Sequence, residues 1–132
     1  MTSILVVDDH DDIRELLVKR LQQRGFAAIP VSNGAEAVLA ASSAQPTLIL
    51  MDLNMPELDG IEATLQIRQQ DETSQVPIIA LTAHALPGDE ERALAAGCNA
   101  FHSKPIDFEK LFKQIEKLIE ATSSRPPSPE EP

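Results

Sequence analysis

Three short apolar runs, ILVV (4–7), LILM (48–51) and IIAL (78–81), each stop on a polar side chain, Asp8, Asp52 and Thr82. Within each run the apolar character is continuous and does not alternate, which is the signature of strands covered on both faces of a parallel sheet. FAAIPV (26–31) is a fourth strand candidate, and its Pro30 suits an edge position. NAFHSK (99–104), short and mixed, is a second edge. Helical periods fill the gaps. Ile13, Leu16, Leu17 and Leu21 share a face and Gly25 stops that helix. Asn33-Gly34 precedes an Ala-rich segment, 35–44, with Val38 and Ala41 turned inward. A third helix starts near Leu58 and is anchored by Ile61 and Leu65, and a fourth, 88–96, ends at Gly97. The last carries one stripe, Phe108, Leu111, Phe112, Ile115, Leu118 and Ile119, with Asp107 placed to cap it. Five strand-then-helix units predict an α/β fold: a five-stranded parallel sheet, doubly wound, over about 120 residues.

A chain of 132 residues fits one domain with an adequate core. Three per cent aromatic against 42% hydrophobic residues makes that core aliphatic. The formal charge of −10 repels phosphate backbones and anionic lipid, which argues against sequence-nonspecific nucleic-acid binding. No apolar run approaches the roughly 18 residues of a membrane helix, and no basic-then-apolar leader opens the chain. Cys98 stands alone, so no internal disulfide is possible; it reads as a small buried side chain, compatible with a cytoplasmic location. The domain is expected over 1–121. TSSRPPSPEEP (122–132) has four prolines and no large apolar residue, and is expected to be a disordered tail. Its PPSP spacing is what any proline-rich tail meets by chance, and its EEP ending favours a free-standing protein over a fragment.

Ligands of open parallel sheets bind at the carboxyl edges of the strands, where strand order reverses. Asp8 and Asp9, Asp52, Thr82 and Lys104 all fall at such edges and should therefore converge. Two carboxylates about 4 Å apart repel by about 4 kcal/mol at an effective dielectric near 20. Lys104 offsets part of that, and the remaining charge suits Mg²⁺, which takes one or two carboxylates plus waters and a phosphate. A cation, a carboxylate, an ammonium and a hydroxyl together suit phosphoryl transfer, with Asp52 the natural nucleophile.

ILVVDDHDDIRELL, LILMDLNMPELDGIE, PIIALTAHALPGDEERALAAGCNAF and SKPI, in this order and spacing, resemble the receiver domain of two-component response regulators over residues 3–120. The stretch from Ala80 to Cys98 is similar to single-domain regulators of the DivK type and to receivers fused to hybrid histidine kinases. The resemblance implies the flavodoxin-like strand order 2-1-3-4-5. It implies that Asp52 takes a phosphoryl group from a phosphohistidine on a sensor histidine kinase or histidine phosphotransfer protein. Asp9, Asp52 and the backbone carbonyl of Asn54 would bind Mg²⁺ directly, and Asp8 through a water. Lys104 and the Thr82 hydroxyl would contact phosphoryl oxygens, and Lys104-Pro105 would be cis. Thr82 and Phe101 would form the switch, reshaping the surface of the fourth helix, fifth strand and fifth helix. Phe101 lacks the hydroxyl of the tyrosine common at that position. Asn54 and His84 would line the path of attacking water and modulate phosphate loss. His10 and His102 match no metal-ligand spacing and are read as structural or solvent-facing.

The resemblance describes a signalling phosphoacceptor, not an enzyme, without direct DNA binding and acting through protein contacts. A receiver cut from a hybrid kinase fits as well. A phosphatase of the haloacid dehalogenase type would carry an Asp-x-Asp motif on its first strand, where this chain has adjacent aspartates. A flavin carrier would want aromatic rings, and the chain has neither Trp nor Tyr.

Overall fold

Side chains along each apolar run alternate between two separate cores, and this is why the runs show no polar face. The computed structural model describes residues 2–83 and 86–123. The strands are β1 (Ser3–Val7), β2 (Ala27–Val31), β3 (Leu48–Asp52), β4 (Ile78–Thr82) and β5 (Ala100–Ser103). They alternate with α1 (Asp11–Gln23), α2 (Gly34–Ala44), α3 (Gly60–Gln69), α4 (Asp89–Ala96) and α5 (Phe108–Ser123). The sequence pattern did not announce the one-turn 3₁₀ helix Asp71–Thr73 between α3 and β4. All pairings are parallel and the order is β2-β1-β3-β4-β5, as the resemblance implied. β2 and β5 are the edges, in keeping with Pro30 and with the mixed character of 99–104.

Ile4, Val6, Leu48, Leu50, Ile79 and Leu81 face α1 and α5, packing with Leu17, Leu21, Leu111, Phe112 and Ile115. Leu5, Val7, Ile49, Met51, Ile78 and Ala80 face the other way. There the helices contribute small side chains, Ala37 and Ala41 from α2, Ala63 from α3 and Ala93 from α4. Small residues let three helices lie close over one face of the sheet.

Two inward assignments need correction. Leu16 is 46% and Leu65 39% exposed, so neither anchors its helix. In α3 the buried positions are Gly60, Ala63, Thr64 and Ile67, an i, i+3, i+4, i+7 set. The reason lies at the first residue: a Cβ on Gly60 would run into the backbone of Asp52 and Leu53. With Gly60 pressed against the end of β3, the helix is rotated so that Ile61 is only partly buried and Leu65 points outward. At the far end, α5 runs to Ser123, two residues into the segment read as tail. Residues 124–132 lie outside the described residues.

Register places the site. Val7 pairs with Met51, so Asp8 and Asp52, each the next residue along, emerge level at the carboxyl rim between β1 and β3. The chain order reverses there: β1 leads to β2 on one side, and β3 resumes on the other. Asp52 pairs with Leu81 and Thr82 with Ser103, which brings Thr82 and then Lys104 to the same rim.

Candidate functional site

Asp8 directly follows β1 and Asp52 ends β3, and their carboxylates are 0% and 1% exposed. Burial of that kind must be compensated. Asp8 Oδ1 accepts the backbone N–H of His10 at 2.8 Å, and Oδ2 accepts from Lys104 Nζ at 3.0 Å. Arg14, one turn into α1, donates Nη1 to the Asp8 carbonyl at 2.9 Å. Asp52 is less well served. Its Oδ1 accepts the Asn54 N–H at 3.0 Å, but Oδ2 accepts no hydrogen bond and lies 3.7 Å from Lys104 Nζ. Burial therefore dominates and pushes the Asp52 carboxyl up from 3.8 to about 6. The Asn54 N–H and Lys104 pull it down, and Asp8 and Asp9 add to the rise.

The cation set is short. Among the described residues three carboxylates, Asp8, Asp9 and Asp52, have one ammonium, Lys104, which leaves two negative charges around a pocket with two orphaned oxygens, Asp9 Oδ1 and Asp52 Oδ2. Ligand atoms of Asp8, Asp9, His10 and Asp52 lie within 4.8 Å of one another. A hard divalent cation matches both the charge deficit and the orphaned acceptors, so the donor set fits Mg²⁺. The Lys104–Pro105 peptide is cis.

On the other side of Asp52, the Thr82 hydroxyl donates to Asn54 Oδ1 at 2.8 Å, and the Ala83 N–H reaches the same oxygen at 3.2 Å. The sequence reading gave Asn54 a backbone role and a place beside the water path; the hold of its carboxamide on Thr82 was not legible. A cavity of ≈ 120 Å³ opens there, bordered by Asn54, Thr82, Asp89 and Arg92. Phe101 is half-buried on β5 and packs against the core under α2, α3 and α4. It also borders a surface groove with Leu86, Pro87 and Leu94.

Of the residues singled out from sequence, Asp8, Asp9, Asp52, Asn54, Thr82 and Lys104 come together at this rim, and Phe101 lies on the neighbouring face. His84 lies outside the described residues. His102 is structural: buried, its Nδ1 pairs with Gln114 Oε1 at 2.9 Å and its Nε2 accepts the Asp107 N–H. His10 is different. Its Nδ1 is 3.2 Å from Asp8 Oδ1 and 3.1 Å from Asp9 Oδ1. A strand end followed by two aspartates was the available signal, because a third residue there stays on the rim.

A family model described as response regulator receiver domain matches residues 4–116. Polar-differentiation response regulator DivK of Brucella anthropi is 37% identical over 117 residues, which span 89% of this chain and 95% of the relative. Among solved structures, the chemotaxis protein CheY4 of Vibrio cholerae superposes with a TM-score of 0.85 at 30% identity, over 89% of this chain and 98% of that one. The receiver domain of sensor histidine kinase PA1611 from Pseudomonas aeruginosa, described with a magnesium ion coordinated in its active site cleft, gives a TM-score of 0.84 at 38% identity. That match covers 89% of this chain and 97% of the other.

Proposed function

This chain belongs to the response regulator receiver domain family, and from that premise we propose that Asp52 accepts a phosphoryl group from a phosphohistidine, with Mg²⁺ in the acidic pocket. The donor is a sensor histidine kinase or a histidine phosphotransfer protein. The observation that carries the reading is Asp52 itself: a carboxylate buried at the rim, with one oxygen unpartnered and Lys104 within ion-pair reach. The magnesium described for the Pseudomonas receiver supports the choice of cation.

Asp9, Asp52 and the Asn54 carbonyl would hold the ion directly, and Asp8 would act through a water. Bound there, Mg²⁺ supplies neutralisation of the charge on the transferring group and its flanking oxygens. One oxygen of Asp52 attacks phosphorus, the P–N bond breaks, and the histidine nitrogen leaves with its electron pair. Lys104 holds a phosphoryl oxygen by its ammonium. Phosphorylation gives Thr82 and Ala83 a new acceptor. Both donors now point at Asn54 Oδ1, so a phosphoryl oxygen must take them from the carboxamide. Inward movement of Thr82 frees space for the Phe101 ring, and the face made by α4, β5 and α5 changes its affinity for a protein partner. His84 modulates phosphate loss together with Asn54.

Similarity to DivK favours a free-standing regulator, and the 38% identity to a kinase receiver favours the hybrid-kinase alternative. Incubation with acetyl phosphate and Mg²⁺, followed by intact mass, tests the central claim. One phosphate is expected on the wild type and none on Asp52→Asn. Equal uptake by both proteins would remove Asp52 from its role.

A further inference from the structure

His10 has no part in the reading above, yet a ring nitrogen lies against the acidic cluster. Nδ1 is hydrogen-bonded to Asp8 Oδ1 at 3.2 Å and lies 3.1 Å from Asp9 Oδ1. Adjacent ligands of one cation with bonds of about 2.1 Å are separated by about 3.0 Å in an octahedron and 3.4 Å in a tetrahedron. The imidazole nitrogen and the Asp9 oxygen are spaced as neighbouring ligands would be. Asp9 Oδ1 accepts no hydrogen bond despite the close nitrogen, and the buried Asp52 turns a second unpartnered oxygen, Oδ2, into the same pocket. An acidic cluster alone would be weak ground; orphaned anionic oxygens, one of them on a side chain 1% exposed, call for a cation.

We propose that His10, through Nδ1, is a further ligand of this pocket and that the pocket therefore takes a borderline first-row divalent cation of the Zn²⁺ type, in addition to Mg²⁺. The inference rests on the receiver reading for the pocket and adds the class of cation. Imidazole suits zinc and its neighbours, whereas magnesium prefers an all-oxygen shell and gains little from a nitrogen ligand. On binding a cation Nδ1 gives up its hydrogen bond to Asp8, and the ring then carries its proton on Nε2. That nitrogen has water available, because the His10 side chain is 60% exposed. The ring's position comes from its backbone: His10 precedes α1 in extended conformation, directly after the two aspartates of the β1 end. His10 makes no side-chain cap bond to α1, so replacing it leaves the helix intact.

Calorimetric titration of the full chain with Mg²⁺ and, separately, with Zn²⁺ tests this, in the absence of any phosphodonor. His10→Ala is expected to weaken Zn²⁺ binding about tenfold or more while Mg²⁺ binding changes less than about twofold. A second readout is the ring ¹⁵N spectrum, where Zn²⁺ should displace the His10 Nδ1 signal and spare His102, whose two nitrogens are already bonded. Unchanged Zn²⁺ affinity in His10→Ala, equal losses for both cations, or a displaced signal only on another histidine each overturn the proposal. Loss of phosphate uptake at Asp52 is a separate failure that these titrations do not register.

Discussion

At the amino ends of β4 and β5 every nitrogen of a single guanidinium has an acceptor, whereas at the carboxyl ends of β1 and β3 charge is left over. Arg68 donates to the Gly97 carbonyl through Nε and Nη2 at 3.0 and 2.8 Å, to the Thr73 carbonyl at 3.0 Å, and to Asn99 Oδ1 at 3.0 Å. Asn99 Oδ1 accepts the Ile78 N–H as well. That end clips α3, α4 and the start of two strands together. Among the described residues the opposite rim holds three carboxylates against one ammonium, and two of its buried oxygens have no hydrogen-bond partner. Both rims bury charged side chains in one fold, so the shortfall at one of them is local. On the function proposed above it marks where a cation and a phosphoryl group would be received, at a local cost in stability.

The contrast is sharpest at Lys104. Lys104→Met strips the fully buried Asp8 of its ammonium and should cost about 4 kcal/mol in chelator-treated protein, read from urea denaturation, with part of the loss restored by Mg²⁺. A cost below about 1 kcal/mol would mean that the rim is not short of positive charge after all. Asp52→Asn should act in the other direction. A carboxyl raised from 3.8 to about 6 keeps its proton longer in the folded chain. Wild-type stability therefore falls as pH climbs through that interval, to a deficit of about 3 kcal/mol at neutral pH. Without divalent cation the variant should be the more stable protein at pH 7 by up to that amount, and the advantage should vanish near pH 4. A constant difference across this range would deny the burial of an ionised group. Arg68→Ala, at the satisfied rim, should lose about 2 kcal/mol and respond to Mg²⁺ no differently from the wild type. Asn33→Ala should lose about 1 kcal/mol. Its side chain caps α2 by accepting the Glu36 N–H at 2.8 Å, on the carboxyl side of the sheet but outside the acidic cluster. Phosphate uptake by Asn33→Ala should be unimpaired; an impairment would show that the whole edge, and not the cluster, is tuned.

Strand positions and the convergence of Asp8, Asp9, Asp52, Thr82 and Lys104 were readable because they depend on backbone periodicity. An apolar run buried on both faces must be a strand, and its next residue must be at a rim. Helix faces were less readable. Leu65 and Ile61 looked like the inward pair of α3, but the rotation of that helix is fixed by the contact between Gly60 and the end of β3, which no hydrophobic pattern records. The Arg68 clip was invisible for a related reason, since its acceptors are mainly backbone carbonyls and these carry no letter in a sequence. His10 and the Asn54 carboxamide depend on loop conformation after the strand ends, and neither spacing nor polarity specifies that.

The pairing of Val7 with Met51 sets a limit on how this site can vary. Neighbouring strands keep a pitch of about 4.8 Å, so the distance between the aspartates that follow them is inherited from the peptide ladder, and exchanging core side chains does not retune it. The imidazole of His10 and the carboxamide of Asn54 hang from backbone beyond that ladder. Metal preference and phosphoryl lifetime can thus diverge among proteins of this architecture through a few loop positions, while the spacing that makes the chemistry possible stays the same.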